Sequence, residues 1–116
     1  MPFVTADQLR QQHAYLEDGI AHAARRAGRG PDLVLQRRLM GQARTLQAML
    51  ADRDAAQAVA DCAEAACRVM DAAEPEAPLR MLAMARDAMA RCVRRQAASL
   101  PRERRRIADR PSAQAV

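Results

Sequence analysis

Lysine and asparagine are absent from this 116-residue chain, and aromatic residues make up only 2% of it. All 19 positive residues are therefore arginines. Both missing residues have A-rich codons, so their absence points to a GC-rich, bacterial genome and removes most of the functional meaning of arginine in place of lysine. Large apolar residues are scarce as well: leucine, isoleucine, valine and phenylalanine together number 19 of 116. That lies below the roughly one-fifth at which a highly charged chain would be expected to stay disordered. Here the formal net charge is only +5 and alanine dominates, which predicts helices packed closely through small residues. Six internal methionines, Met40, Met49, Met70, Met81, Met84 and Met89, must supply much of the missing volume. No apolar run approaches the ~18 residues that a membrane span requires, and the N-terminus lacks the charged and apolar regions of a signal peptide. A soluble cytoplasmic protein with no membrane partner is expected. The cysteines, Cys62, Cys67 and Cys92, are odd in number and lack metal-ligand spacing, which predicts reduced thiols in a helical core and neither a metal nor another cofactor.

What the chain does contain is a repeated seam. Thr5 with Gln8 three residues on forms a capping box, with Val4 and Leu9 placed as a hydrophobic staple. Behind them Leu9, His13, Leu16, Ile20, Ala23 and Ala27 alternate in spacing between four and three, which predicts an amphipathic helix over about 6–28, stopped by Gly28 and Gly30. Pro31 and Asp32 suit the first turn of a second helix, about 32–52, with Leu35, Leu39, Ala43, Leu46 and Leu50 on its seam. Gly41 within it suggests close approach of a neighbouring helix. Neither glycine nor proline occurs between 42 and 74. Continuing the Leu46 and Leu50 seam would bury Arg53, Gln57 and Glu64, however, so a break at 52–54 is expected, with Asp54 and Gln57 as a second capping box. The third helix, about 55–73, has Val59, Cys62, Ala66, Val69 and Ala73 on its seam. It contains no leucine or aromatic residue and is expected to be the least stable element. The run Glu74-Pro75-Glu76-Ala77-Pro78 reads as a linker, with Pro78 opening a fourth helix, about 78–99, whose seam is Leu82, Ala85, Met89, Cys92 and Gln96. The expected fold is all-α: an antiparallel four-helix bundle, or helical hairpins completed by dimerisation, over 1–100, followed by a flexible basic tail over 101–116.

Charge is uneven along the chain. Residues 91–116 carry eight arginines against Glu103 and Asp109, whereas 51–79 carry seven acids against Arg53 and Arg68. Arg94, Arg95, Arg102, Arg104, Arg105 and Arg106 could bind phosphate backbones or an acidic partner. No aromatic residue is present there to stack on bases, so a solubilising or self-docking tail is the alternative. Of the histidines, His13 lies on the first seam and is expected at the core boundary with a hydrogen-bond partner. His22 lies off it, followed by Arg25 and Arg26. A bundle of this length with a helical histidine and a basic residue three on resembles histidine phosphotransfer domains. The resemblance implies a phosphoacceptor role for His22, although Arg26 stands where that family has a glycine that leaves room for a response-regulator aspartate. Cys67, beside Arg68, is the one thiol placed to be accessible. No glycine-rich phosphate loop or Ser-His-Asp pattern occurs. These features predict a non-catalytic interaction module, an adaptor, chaperone or regulator that acts on protein partners and associates with itself. Phosphotransfer through His22 and nucleic-acid binding through the basic tail are the alternatives.

Overall fold

A computed structural model describes residues 4–101, so all of the expected basic tail except Pro101 lies outside the described residues. The fold is all-α: α1 spans Ala6–Arg25, α2 Leu33–Ala48, α3 Arg53–Asp71 and α4 Glu76–Ser99. No helix among the described residues is long and apolar enough to cross a membrane.

α1, α2 and α3 each begin where a side chain satisfies a free N–H group, whereas α4 begins after Pro75 with no side-chain cap. At α1 the expected capping box is present: Gln8 N–H donates to Thr5 Oγ1 at 3.1 Å, and Thr5 N–H donates to Gln8 Oε1 at 2.9 Å. The next two helices start differently from expectation. Asp32 is not in the first turn of α2 but caps it, accepting from Leu35 N at 3.0 Å. For α3 the cap is Asp52, which accepts from Asp54 N, while Gln57 donates to Asp61 instead of closing a box with Asp54. A carboxylate two residues ahead of the expected cap thus captures the helix start. In α4 the start is Glu76, so Pro78 sits inside the first turn rather than opening it. Proline is tolerated there because first-turn N–H groups have no acceptor within the helix.

Three sets of hydrogen bonds fix the directions of the helices. Gly28 and Gly30, with φ of 74° and 96°, aim their N–H groups at the carbonyls of Val69 and Met70 at 3.0 and 2.8 Å. The α1–α2 turn thereby caps the end of α3. At the other end Ala6 N–H donates to the Pro101 carbonyl at 3.0 Å, which joins the start of α1 to the end of α4. There too the Gln96 amide closes the α2–α3 turn, its Nε2 donating to Met49 O at 3.0 Å and its Oε1 accepting from Ala51 N at 3.1 Å. α1 and α3 therefore run one way, α2 and α4 the other. Sequence neighbours pack together, α4 returns to α1, and α1 also meets α3 across the diagonal.

The core is built from Leu9, Leu16 and Ile20 of α1, Leu39 and Leu46 of α2, Val59, Cys62, Val69 and Met70 of α3, and Leu82, Met89 and Val93 of α4. Ala23, Ala43, Ala63 and Ala66 are buried among them. The tightest approach is at Gly19, not Gly41. A methyl group on Gly19 would lie 2.9 Å from Leu39 Cδ2 and 3.0 Å from Gln42 Oε1, whereas one on Gly41 would meet nothing within 4 Å. Opposite effects follow for the two glycines. Gly41→Ala should gain up to about 1 kcal/mol through helix propensity alone. Gly19→Val should lose about 1–3 kcal/mol by overpacking against Leu39, read as movement of the urea midpoint in opposite directions.

Candidate functional site

α4 divides the polar chemistry of the molecule, because its two edges meet different helices. On the edge facing α1, Arg86 Nε donates to Glu17 Oε2 at 2.9 Å. Glu17 also lies one turn after His13, with His13 Nε2 3.7 Å from Glu17 Oε1. That separation permits an ion contact but is too long for a hydrogen bond, so the partner expected for His13 is not found among the described residues. His13 is at the core boundary, as expected. Burial holds its pKa below the usual 6.5; the Glu17 carboxylate pulls the other way, and Arg94 and Arg86 add to the lowering. The Cys62 thiol on α3 is pushed up to about 12, first by burial and then by Glu17. Burial, followed by Glu64, also raises the Cys67 thiol. Both thiols are therefore held protonated and are poor nucleophiles, including the one the sequence marked as accessible. All three cysteines are free.

His22 is exposed in the last turn of α1. Arg26, which in sequence stands where it would crowd the imidazole, is drawn instead to the α1–α2 turn, its Nε 3.3 Å from Asp32 Oδ2. Of the arginines expected to bind anions, Arg102, Arg104, Arg105 and Arg106 lie outside the described residues. Arg94 and Arg95 are exposed but diverge. The charge of Arg94 is felt at His13 on the α1 side, while Arg95 donates to Cys92 Sγ at 3.3 Å and lines a groove with Ala51, Asp52 and Ala55. Those two side chains do not form one cradle. No group of three or more histidine, cysteine or acidic side chains among the described residues is placed to hold a metal.

Leu33 and Val34 are exposed at the start of α2, and a longer candidate is the outer face shared by α3 and α4. The methionines, alike in sequence, separate sharply here. Met70 and Met89 are buried, whereas Met81 and Met84 are 58% and 71% exposed. Along α4, Ala77, Met81, Met84, Ala88, Arg91 and Arg95 alternate in spacing by four and three, a second stripe about a third of a turn from the core seam of Leu82, Met89 and Val93. At its end this stripe meets the start of α3, where Arg95 lines the groove with Asp52 and Ala55. On α3 an equivalent stripe, Asp54, Ala58, Asp61, Ala65, Arg68 and Ala72, lies on the edge away from α2, because Ala56, whose carbonyl accepts from Gln47 Nε2, marks the edge that faces α2. In sequence, Met81 and Ala88 also adjoin the Leu82 and Met89 seam, so a single four-three count does not separate this surface from the core face. Two interleaved four-three patterns on one helix were the available signal. The chain matches no protein-family model, no curated protein and no solved structure.

The His13 contact has a measurable consequence for pH. A histidine whose pKa is depressed on folding binds protons more readily when unfolded. Its contribution to stability is complete above the unfolded value of 6.5 and is lost as pH falls below it toward the folded pKa. The urea midpoint should therefore fall between pH 7.5 and pH 5 more steeply for the wild type than for His13→Gln; identical slopes would show that His13 is solvated.

Proposed function

We propose that this protein is a small non-catalytic interaction module, an adaptor, chaperone or regulator that works through helix-to-helix contacts on the α3–α4 face. The observation that carries the reading is the exposure of Met81 and Met84 on a stripe of their own. Flexible thioethers adapt to an amphipathic partner helix, and a chain short of large apolar residues gains little by leaving two of them in solvent. Further support comes from Cys62 and Cys67, whose thiol pKa values are raised by burial rather than lowered toward an activated thiolate. On this reading the chain is an antiparallel four-helix bundle that also associates with itself. A bacterial cytoplasm suits both the codon-driven absence of lysine and the three free cysteines. The test is affinity capture from the native host with the full chain and with Met81→Glu/Met84→Glu. Proteins retained by the first and lost by the second are expected, with helical content unchanged by circular dichroism. Identical captured sets would refute the use of this face.

A second reading has its own observation. His22 is exposed and Arg26 is turned away from it toward Asp32, which leaves the imidazole approachable despite the missing glycine. If His22 is a phosphoacceptor, incubation with a small phosphodonor or a partner kinase should give an acid-labile label that His22→Gln abolishes; labelling that survives the substitution rules this out.

A further inference from the structure

We infer that the α3–α4 face binds a second copy of this chain about a two-fold axis parallel to the helices, so that α4 of each protomer lies against α3 of the other. This inference rests on the interaction reading above and names its occupant.

The reasoning starts from the order of charges along the two stripes. α3 and α4 run in opposite directions, so the start of α3 and the end of α4 share one end of the molecule. At that end α3 presents Asp54 and Asp61 and α4 presents Arg91 and Arg95, all exposed. None of these four takes part in an ion pair among the described residues. Towards the other end, the α3 stripe becomes Ala65, Arg68 and Ala72, with Arg68 paired to Glu64 on its own helix, while the α4 stripe becomes Met84, Met81 and Ala77. One half of the face is thus acid beside base, and the other is alanine beside methionine, interrupted by Arg68, whose charge is met by Glu64 on its own helix.

A two-fold axis parallel to the helices keeps every residue at its own height and exchanges the two helices across the interface. With a rise of about 1.5 Å per residue, Arg91 then falls between Asp54 and Asp61 of the partner helix, and Arg95 falls beside Asp54. At the upper levels Met84 falls opposite Ala65, and Met81 falls beside the stem of Arg68, whose guanidinium is held by Glu64 of its own helix. Met84 meets a small side chain, and Arg91 and Arg95 each meet a carboxylate. Such an interface is isologous, the surface being complementary to itself. An axis perpendicular to the helices would instead lay α4 on α4 and put Arg91 and Arg95 against Ala77 and Met81, with no carboxylate to meet them. Charge therefore selects the axis. The face is of sufficient size: two helices of this length side by side present roughly 30 Å by 20 Å, which with side-chain relief approaches the ~800 Å² per partner of a standard interface.

The test uses charge reversal on the full chain, read by sedimentation equilibrium. Wild type should be dimeric. Arg91→Glu places a carboxylate against Asp61, and Asp61→Arg places a guanidinium against Arg91, so each variant alone should dissociate at least about tenfold more readily. Mixed in equal amounts, the two should recover dimer. In the mixed pair one contact is native and the other is the same ion pair reversed. No perpendicular arrangement predicts that recovery. Helical content by circular dichroism checks that each variant is folded, and Arg91→Gln with Asp61→Asn, which remove charge without repulsion, should weaken dimer less. A wild type that is monomeric at millimolar concentration, single variants that remain dimeric, or a mixture that stays monomeric would each overturn the inference. A monomeric wild type whose captured proteins are still lost on changing Met81 and Met84 would overturn it while leaving the interaction reading in place. A recovered dimer whose captured proteins do not depend on those methionines would uphold it and retire the adaptor role.

Discussion

Close approach between helices is the constraint on which this structure depends. With few large apolar side chains, burial must come from proximity: alanine adds little area of its own, but it lets two backbones come near enough for the leucines of one helix to reach those of another. Gly19 is the extreme case, because its missing Cβ leaves space that Leu39 and Gln42 occupy. The diagonal contact of α1 with α3 belongs to the same economy, since Ala23, Ala63 and Ala66 are all fully buried. α3, without a leucine or an aromatic residue, sits against all three other helices, as α1 does.

The same shortage of bulk explains why polar groups close the ends of the molecule. A thin core leaves turns with little to pack against, so backbone groups are tied by specific bonds. Gln96 does this at one end, and Gly28 with Gly30 at the other. Gln96 is the one polar residue on the α4 seam. Its amide supplies one donor and one acceptor to the α2–α3 turn, and both must face inward to reach it. At the part-buried Met49 carbonyl this is worth more than another apolar contact, because an unmet carbonyl costs more than a methyl group gains.

Much of the fold could be read from spacing, and the exceptions share a cause. Leu9, Leu16, Ile20, Leu35, Leu39, Leu46, Val59, Val69, Leu82 and Met89 are buried because four-three periodicity is a property of the helix itself. Helix starts depend instead on which side chain reaches a free N–H, which is why Asp52 prevailed over Asp54 and why Asp32 caps rather than follows a cap. Close approach is likewise a relation between two helices, so glycine in α2 gave no indication that the contact lay at glycine in α1. The candidate face was hidden for a related reason. Methionine is compatible with both core and surface, and only its phase relative to Leu82 and Met89 separates Met81 and Met84 from the interior.

The two edges of α4 then show how one helix can carry charges of different meaning. Toward α1, Arg86 is matched within the chain by Glu17, which also lies beside His13. Charges met in this way contribute to holding the fold and have little left to offer a partner. Toward α3, Arg91 and Arg95 share an end of the molecule with Asp54 and Asp61 yet engage none of them in an ion pair among the described residues. Exposed pairs of that kind stabilise a monomer by little, so burial of apolar surface beside them is the larger source of energy, and the charges act mainly to choose register and partner. Methionine and alanine above, and acid and base below, therefore divide the work of association between affinity and orientation.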